Sequence, residues 1–231
     1  MAPVSRIKMA IFDVAGTTAH DDGLVLEAFE GAMVSMGMVR GTPEMERMSD
    51  YVVATMGERK IDVFTHLCDG NVARASAAHD HFVEGYINLV NAGRLGEFSG
   101  VTDLFNQLRD QGIAVAITTG FPREILSNII ETLDWASHID FSVAASEVTA
   151  GRPAPDMIFR CIDLYNKRFA TDISADDVAV IGDTESDMKS GVTAGAQIVA
   201  GVSTGTHNSE QLFNAGATDV LKGAVDLITI C

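Results

Sequence analysis

Short apolar runs that end in polar or glycine-rich turns recur along this chain, and their spacing predicts most of its elements. Lys8 to Asp13 reads as a buried strand, in which Met9 to Phe12 are apolar, Asp13 closes the run, and Gly16, Thr17 and Thr18 follow as a turn. From about Asp21 to Gly93 the period becomes helical and no strand candidate appears. Leu26, Phe29, Met33 and Met36 fall at helical spacing before Gly37. Thr42 and Pro43 supply a cap and a first-turn proline for another helix, and Asn71 to Asn91 reads as a long one.

From Gly100 onward helix and strand alternate. Predicted helices cover residues 101–111, 123–133, 156–167, 187–194 and 209–215, and predicted strands cover 113–118, 141–145, 178–182, 197–202 and 219–221. Short apolar strands between amphipathic helices imply a parallel sheet covered on both faces. The expected fold class is therefore α/β: a Rossmann-like parallel sheet core with helices on both faces, plus an all-helical cap. The core would comprise residues 1–20 and 94–231, and the cap, residues 21–93, would be inserted after the first strand. Open sheets of this kind bind ligands at the carboxyl ends of their strands.

Composition narrows the choice of partners. The 231 residues, 47% of them hydrophobic, suffice for one full core and a smaller accessory unit. A formal net charge of −16 repels nucleic acid and anionic membrane surfaces. An anionic small molecule would need a local positive site built from a metal, a few basic side chains and backbone amides. The segment before Met9 is short and polar, and no apolar run approaches the roughly 18 residues of a membrane span, so a soluble cytoplasmic protein is expected. Cys68, Cys161 and Cys231 have no metal-ligand spacing and read as reduced packing or surface residues. His20, His79, His81, His138 and His207 read as surface or structural. The methionines of the cap read as flexible core filler, with Met56 the exception.

Four polar clusters end predicted strands or occupy the loops beyond them: Asp13 with Gly16 and Thr17, Thr119 with Gly120, Gly151-Arg152-Pro153, and Gly182-Asp183 with Asp187. In a parallel sheet those ends meet in one crevice. Carboxylates from different strands make a hard oxygen site suited to Mg²⁺. Arg152 and the metal would neutralise a phosphoryl group while Thr119 and glycine-turn amides donate to its oxygens, leaving Asp13 free to attack in line. Asp187 either caps the helix that follows or orients metal-bound water.

At these residues the sequence resembles the haloacid dehalogenase superfamily, whose four motifs match Asp13-Val-Ala-Gly-Thr17, Thr119, Arg152 and Gly182-Asp-Thr-Glu-Ser-Asp187 in order and spacing. The resemblance implies Asp13 as nucleophile, Mg²⁺ as cofactor held by Asp13, Ala15 and Asp183, Asp187 behind them, and phosphate contacts from Thr119, Gly120 and Arg152. Within the superfamily the chain is similar to the phosphonatase-like group. Most phosphatases of the superfamily carry a second Asp where this chain has Ala15, and a general acid there is worth about 10²–10⁴ in rate. Arg152 stands where generic members have Lys, and Met56-Gly57-Glu58-Arg59-Lys60 is similar to the segment whose lysine forms an imine with a substrate aldehyde. Cleaving a C–P bond leaves a carbanion, and a protonated imine on Lys60 would accept those electrons as an enamine. Such an amine needs a depressed pKa, obtainable by desolvation or from a neighbouring cation.

Two positions depart from phosphonatase: the His expected three residues after the lysine is Val63, with His66 on another helical face, and the Tyr expected after Thr119-Gly120 is Phe121. The expectation is a Mg²⁺-dependent hydrolase that cleaves the C–P bond of a 2-oxoalkylphosphonate. The alternatives are a phosphomonoesterase acting on a small ester of the phosphoglycolate kind, and a non-catalytic binder of phosphorylated metabolites. Resemblance to phosphonatase also implies a possible homodimer through cap helices.

Overall fold

The computed structural model describes residues 7–230, so Cys231 lies outside the described residues. Strand β1 (Met9–Phe12) leads through the two-residue β2 (Ala19–His20) into four successive helices, α1 (Leu24–Ser35), α2 (Pro43–Ala54), α3 (Lys60–Leu67) and α4 (Val72–Asn91). The chain returns through β3 (Gly96–Glu97) and then alternates: α5 (Val101–Asp110), β4 (Ala114–Thr119), α6 (Arg123–Thr132), β5 (Phe141–Ala144) and α7 (Asp156–Phe169). It closes with β6 (Val178–Gly182), α8 (Glu185–Ala194), β7 (Ile198–Val202), α9 (Ser209–Asn214) and β8 (Asp219–Leu221).

Six strands form one parallel sheet in the order β5-β4-β1-β6-β7-β8. Side chains alternate across it as a period of two requires. Ala10, Phe12, Val115 and Ile117 pack with α5 and α6 on one face, and Met9, Ile11, Ala114 and Ala116 pack with α7 on the other. Because β1 is flanked by β4 on one side and β6 on the other, the strand order reverses at β1, and a crevice opens beyond its carboxyl end.

The helical segment has its own aromatic packing, with Phe64 lying 5.8 Å from Phe29 and 5.6 Å from Phe82 between ring centroids. Thr42 caps α2 by accepting from Met45 N, and Asn71 caps α4 by accepting from Arg74 N, which fixes both helix starts where side-chain oxygens can meet orphan amides. Met33 and Met45 are buried and Met36, Met38 and Met48 pack partly buried against the core, while Met56 borders a cavity. Cys68 and Cys161 are free and buried, and burial pushes the Cys161 thiol up to about 12.

Two features differ from the expected elements. Strands β2 and β3 pair antiparallel where the chain enters and leaves the helical segment, and two residues are too few to display a period. Helix α8 begins at Glu185 rather than Asp187, because Thr184 is its cap: Thr184 Oγ1 accepts from Asp187 N and Asp187 Oδ2 accepts from Thr184 N, a reciprocal capping box. No helix among the described residues is long and apolar enough to cross a membrane.

Candidate active site

The backbone of Asp13 continues the ladder one residue past β1, donating from its N–H to Ile181 O at 2.9 Å, and Asp183 follows β6 directly. Adjacent parallel strands thus bring two carboxylates to one point, and the first turn of α8 adds Asp187. One oxygen from each of Asp13, Asp183 and Asp187 lies within 4.8 Å of the others, and all three residues are buried. Arg152 is buried with them. Its Nη1 donates to Asp13 Oδ1 at 2.5 Å and stands 2.9 Å from Asp187 Oδ1, while its Nη2 donates to Thr118 Oγ1 at 2.6 Å.

Burial raises Asp13 well above the ordinary carboxylate range; Arg152 opposes that shift, and the charges of Asp187 and Asp183 add to it. Asp183 is raised by burial and then by Asp187. Arg152 is the reverse case: burial works against its charge, but the carboxylates of Asp187, Asp13 and Asp183 outweigh it. Three buried carboxylates against one guanidinium leave an excess of negative charge in a low-dielectric site, a strongly unfavourable arrangement unless a cation joins it. The donors are hard oxygens, so the set fits Mg²⁺.

The surroundings hold the carboxylates in place. Thr17 Oγ1 donates to Asp183 Oδ1 at 3.1 Å, Thr206 N donates to Asp183 Oδ2 at 2.7 Å, and Thr18 Oγ1 donates to Asp13 O at 2.8 Å. Asp187 Oδ2 accepts from Thr184 N and Thr184 Oγ1, whereas its Oδ1 faces Arg152 without a hydrogen-bonding angle. Gly16 has φ +84°, and a Cβ there would lie 2.5 Å from Asp183 Oδ2.

A strip of the helical segment lies across this centre. Lys60 N donates to Gly120 O at 3.2 Å and Arg59 Nη1 donates to Thr149 O at 3.1 Å. The contact is close enough that a Cβ on Gly57 would come within 2.5 Å of Thr184 Oγ1, and one on Gly120 within 2.4 Å of Glu58 O. Lys60 is only 5% exposed; its Nζ donates to Glu58 O at 3.3 Å and stands 5.8 Å from the Phe121 ring centroid. Burial pushes the Lys60 amine down to about 8, against the opposing pull of Asp13, Glu58 and Asp21.

Asp13, Ala15, Lys60, Thr119, Gly120 and Asp183 line one cavity of about 430 Å³. Arg152 and Asp187 do not line it and instead sit against the Asp13 carboxylate. Thr119 Oγ1 accepts from Phe121 N at 3.3 Å. Val63 is 3% exposed within the apolar core, and the ring of His66 stacks on Tyr51 at 4.3 Å. His20, expected to be structural or surface, lines the cavity with its ring edge-on to Phe98, because the turn after β2 directs the chain past the cavity mouth.

Sequence reasoning missed Thr118, Asp21, Thr184 and the loop Thr204-Gly205-Thr206. Consecutive threonines at the end of β4 were the available signal for Thr118, since alternation sends one to Arg152 and the other to the cavity. The Thr206 contribution comes from a backbone amide and left no side-chain signal.

Comparison with known proteins agrees with this geometry. Residues 10–201 match the family model described as haloacid dehalogenase-like hydrolase. A phosphonoacetaldehyde hydrolase from Bacillus cereus is 28% identical over 211 residues, covering 82% of this chain and 74% of the relative. Among solved structures, a phosphonoacetaldehyde hydrolase like protein from Oleispira antarctica superposes with a TM-score of 0.77 at 20% identity, covering 98% of this chain and 92% of that one. A candidate phosphoglycolate phosphatase from Lactobacillus delbrueckii subsp. bulgaricus does so with a TM-score of 0.76 at 20% identity, covering 95% and 96%. At such identities these two structures establish the fold alone.

Proposed function

The chain belongs to the haloacid dehalogenase-like hydrolases, and from that premise we propose that it hydrolyses the C–P bond of a small 2-oxoalkylphosphonate such as phosphonoacetaldehyde. The observation that carries the reading is Lys60: a desolvated amine, pushed down to about 8, in the same cavity as the Asp13 carboxylate. Imine formation requires a neutral amine near neutral pH, which such a group supplies. The relatives named phosphonoacetaldehyde hydrolase support the same choice.

In this reading residues 21–93 act as a cap that brings Lys60 over the core. Lys60 condenses with the substrate aldehyde and releases water. Asp13 then forms a P–O bond while the C–P bond breaks, and the bonding pair moves into the protonated imine to give an enamine. Water hydrolyses the acyl phosphate, the enamine carbon takes a proton, and hydrolysis of the imine frees the aldehyde and Lys60. Thr119 and the amides near Gly120 bind the phosphoryl oxygens. Arg152, held by Asp13, Thr118 and Asp187, keeps Asp13 oriented for attack and opposes the rise that burial imposes on its carboxyl group.

Asp13, Asp183 and the main-chain carbonyl of Ala15 would hold Mg²⁺, with Asp187 braced behind them by Thr184. An ion held there would supply positive charge to the phosphoryl oxygens. The test is to incubate the protein with Mg²⁺ and phosphonoacetaldehyde, reduce with borohydride and map the modified peptide by mass spectrometry. A two-carbon adduct confined to Lys60 is expected. An unmodified Lys60 together with rapid release of phosphate from small esters would replace this reading with a phosphomonoesterase.

A further inference from the structure

Imine formation at Lys60 needs a group that takes protons from the amine and returns them to the departing oxygen, and the position three residues on, Val63, is apolar and buried. His66 is stacked on Tyr51. A different ionisable side chain borders Lys60. Asp21 stands between β2 and α1 and lines the cavity that contains Lys60, Asp13 and Phe121. Gly23 N donates to its Oδ1 at 3.2 Å, which anchors the carboxyl group at the start of α1.

A second observation lies behind the cavity wall formed by Phe121. Tyr86, on α4, is fully buried and its Oη has no hydrogen-bond partner. A buried hydroxyl left open costs roughly 1–3 kcal/mol unless something meets it. The charges that this hydroxyl senses are those of Asp21 and Asp13, and its ring lies 4.6 Å from Phe121, the ring beside Lys60 Nζ. Lys60 Nζ and the Tyr86 ring thus both lie beside Phe121, and Asp21 lines the same cavity as Lys60 and Phe121, although the three come from separate parts of the helical segment.

We propose that Asp21 is the proton carrier for Lys60, doing from the start of α1 what a histidine at position 63 would do from within α3. The inference rests on the phosphonate reading above. The ionised Asp21 carboxylate takes one proton from the Lys60 ammonium, and the free amine forms a C–N bond to the aldehyde carbon. Asp21 next moves one proton from that nitrogen to the former carbonyl oxygen, and donates its own as the C–O bond breaks and water leaves. Of the three ammonium protons, one stays on the imine nitrogen and two depart in water. The charged groups facing Lys60 are Asp13, Glu58, Asp21 and Arg152, and those facing Asp21 are Lys60 and Asp22. His20 and Asp183 line the same cavity.

The test compares wild-type protein, Asp21→Asn and Asp21→Glu with Mg²⁺ and phosphonoacetaldehyde, reading the rate of borohydride-trapped adduct at Lys60 as a function of pH. Asn keeps the acceptor for Gly23 N and removes only the proton carrier; if that variant does not fold by thermal unfolding, Asp21→Ser, whose hydroxyl can accept the same bond, replaces it. Trapping is expected to slow at least about a hundredfold in Asp21→Asn, the low end for loss of a general acid–base group, and to recover in Asp21→Glu. The Asp21→Asn profile should follow the fraction of neutral Lys60 alone, rising steadily with pH, a change that a purely structural role would not produce. Equal rates and profiles in wild type and Asp21→Asn overturn the assignment of Asp21 while leaving the Lys60 imine intact. A wild-type Lys60 that is never trapped overturns both.

Discussion

Replacing Lys60 by Met separates the electrostatic cost of this buried amine from its packing. The ordinary value is 10.5 and the folded protein holds the amine at about 8, chiefly through burial. Below about 8 the amine is protonated in both folded and unfolded chains, so the full cost of burying the charge is present. Between about 8 and 10.5 the unfolded chain binds more protons than the folded one, and stability rises with pH through that window. The depression corresponds to about 3 kcal/mol at neutral pH, of which about 1 kcal/mol remains at pH 10. Lys60→Met should therefore be more stable than wild type at pH 7, with that advantage shrinking by about 2–3 kcal/mol at pH 10. Groups that do not face Lys60 cancel in the difference between the two proteins, making the same comparison in an Asp13→Asn background removes the titration of its main charge partner, and any gain from burying the Met side chain is independent of pH. Urea unfolding at both pH values reads the quantity. A stability difference that is the same at pH 7 and pH 10 refutes the claim that Lys60 is held neutral-prone by desolvation.

Three further outcomes are expected. Asp13→Asn should lower phosphate release from phosphonoacetaldehyde by at least about 10⁴-fold, the scale on which loss of a nucleophile acts, as read by a phosphate assay under single-turnover conditions. Thr118→Val, which preserves shape but leaves Arg152 Nη2 without its acceptor, should cost about 1–3 kcal/mol in urea unfolding. Gly205→Ala would place a Cβ 2.0 Å from Asp183 Oδ2, so calorimetric titration with Mg²⁺ should show affinity at least about tenfold weaker, a loss of about 1.4 kcal/mol.

What could be read from the sequence follows from how each signal is encoded. Central parallel strands buried on both faces appear as unbroken apolar runs, so Met9–Phe12, Ala114–Thr119 and Val178–Gly182 were legible within a residue or so. Side-chain caps at Thr42 and Asn71 marked two helices of the segment between β2 and β3 for the same local reason. The β2–β3 pair was illegible because each strand has two residues and its partner lies across the whole helical segment, as with Ala19 and Glu97. The carboxylate centre was recovered from its motif positions, yet the tie between Arg152 and Thr118 spans 34 positions and depends on which way Thr118 points. Asp21 gave no motif at all, since its interest lies only in the cavity it shares with Lys60.

The charge balance of the centre also orders events. Asp13, Asp183 and Asp187 face a single guanidinium, and the whole chain carries a formal net charge of −16, so any doubly charged phosphonate or phosphate ester would meet repulsion at long range and again at the site. Binding one divalent cation brings the three carboxylates and Arg152 to neutrality, and Lys60 adds a further positive charge when protonated. A substrate anion should therefore bind after the metal. Calorimetric titration with inorganic phosphate is expected to give measurable heats in Mg²⁺ and affinity at least about tenfold weaker after chelation, corresponding to at least about 1.4 kcal/mol. Equal affinity with and without the cation would mean that Lys60 and the amides near Gly120 suffice for the anion, and that this acidic protein does not borrow its positive charge from a metal.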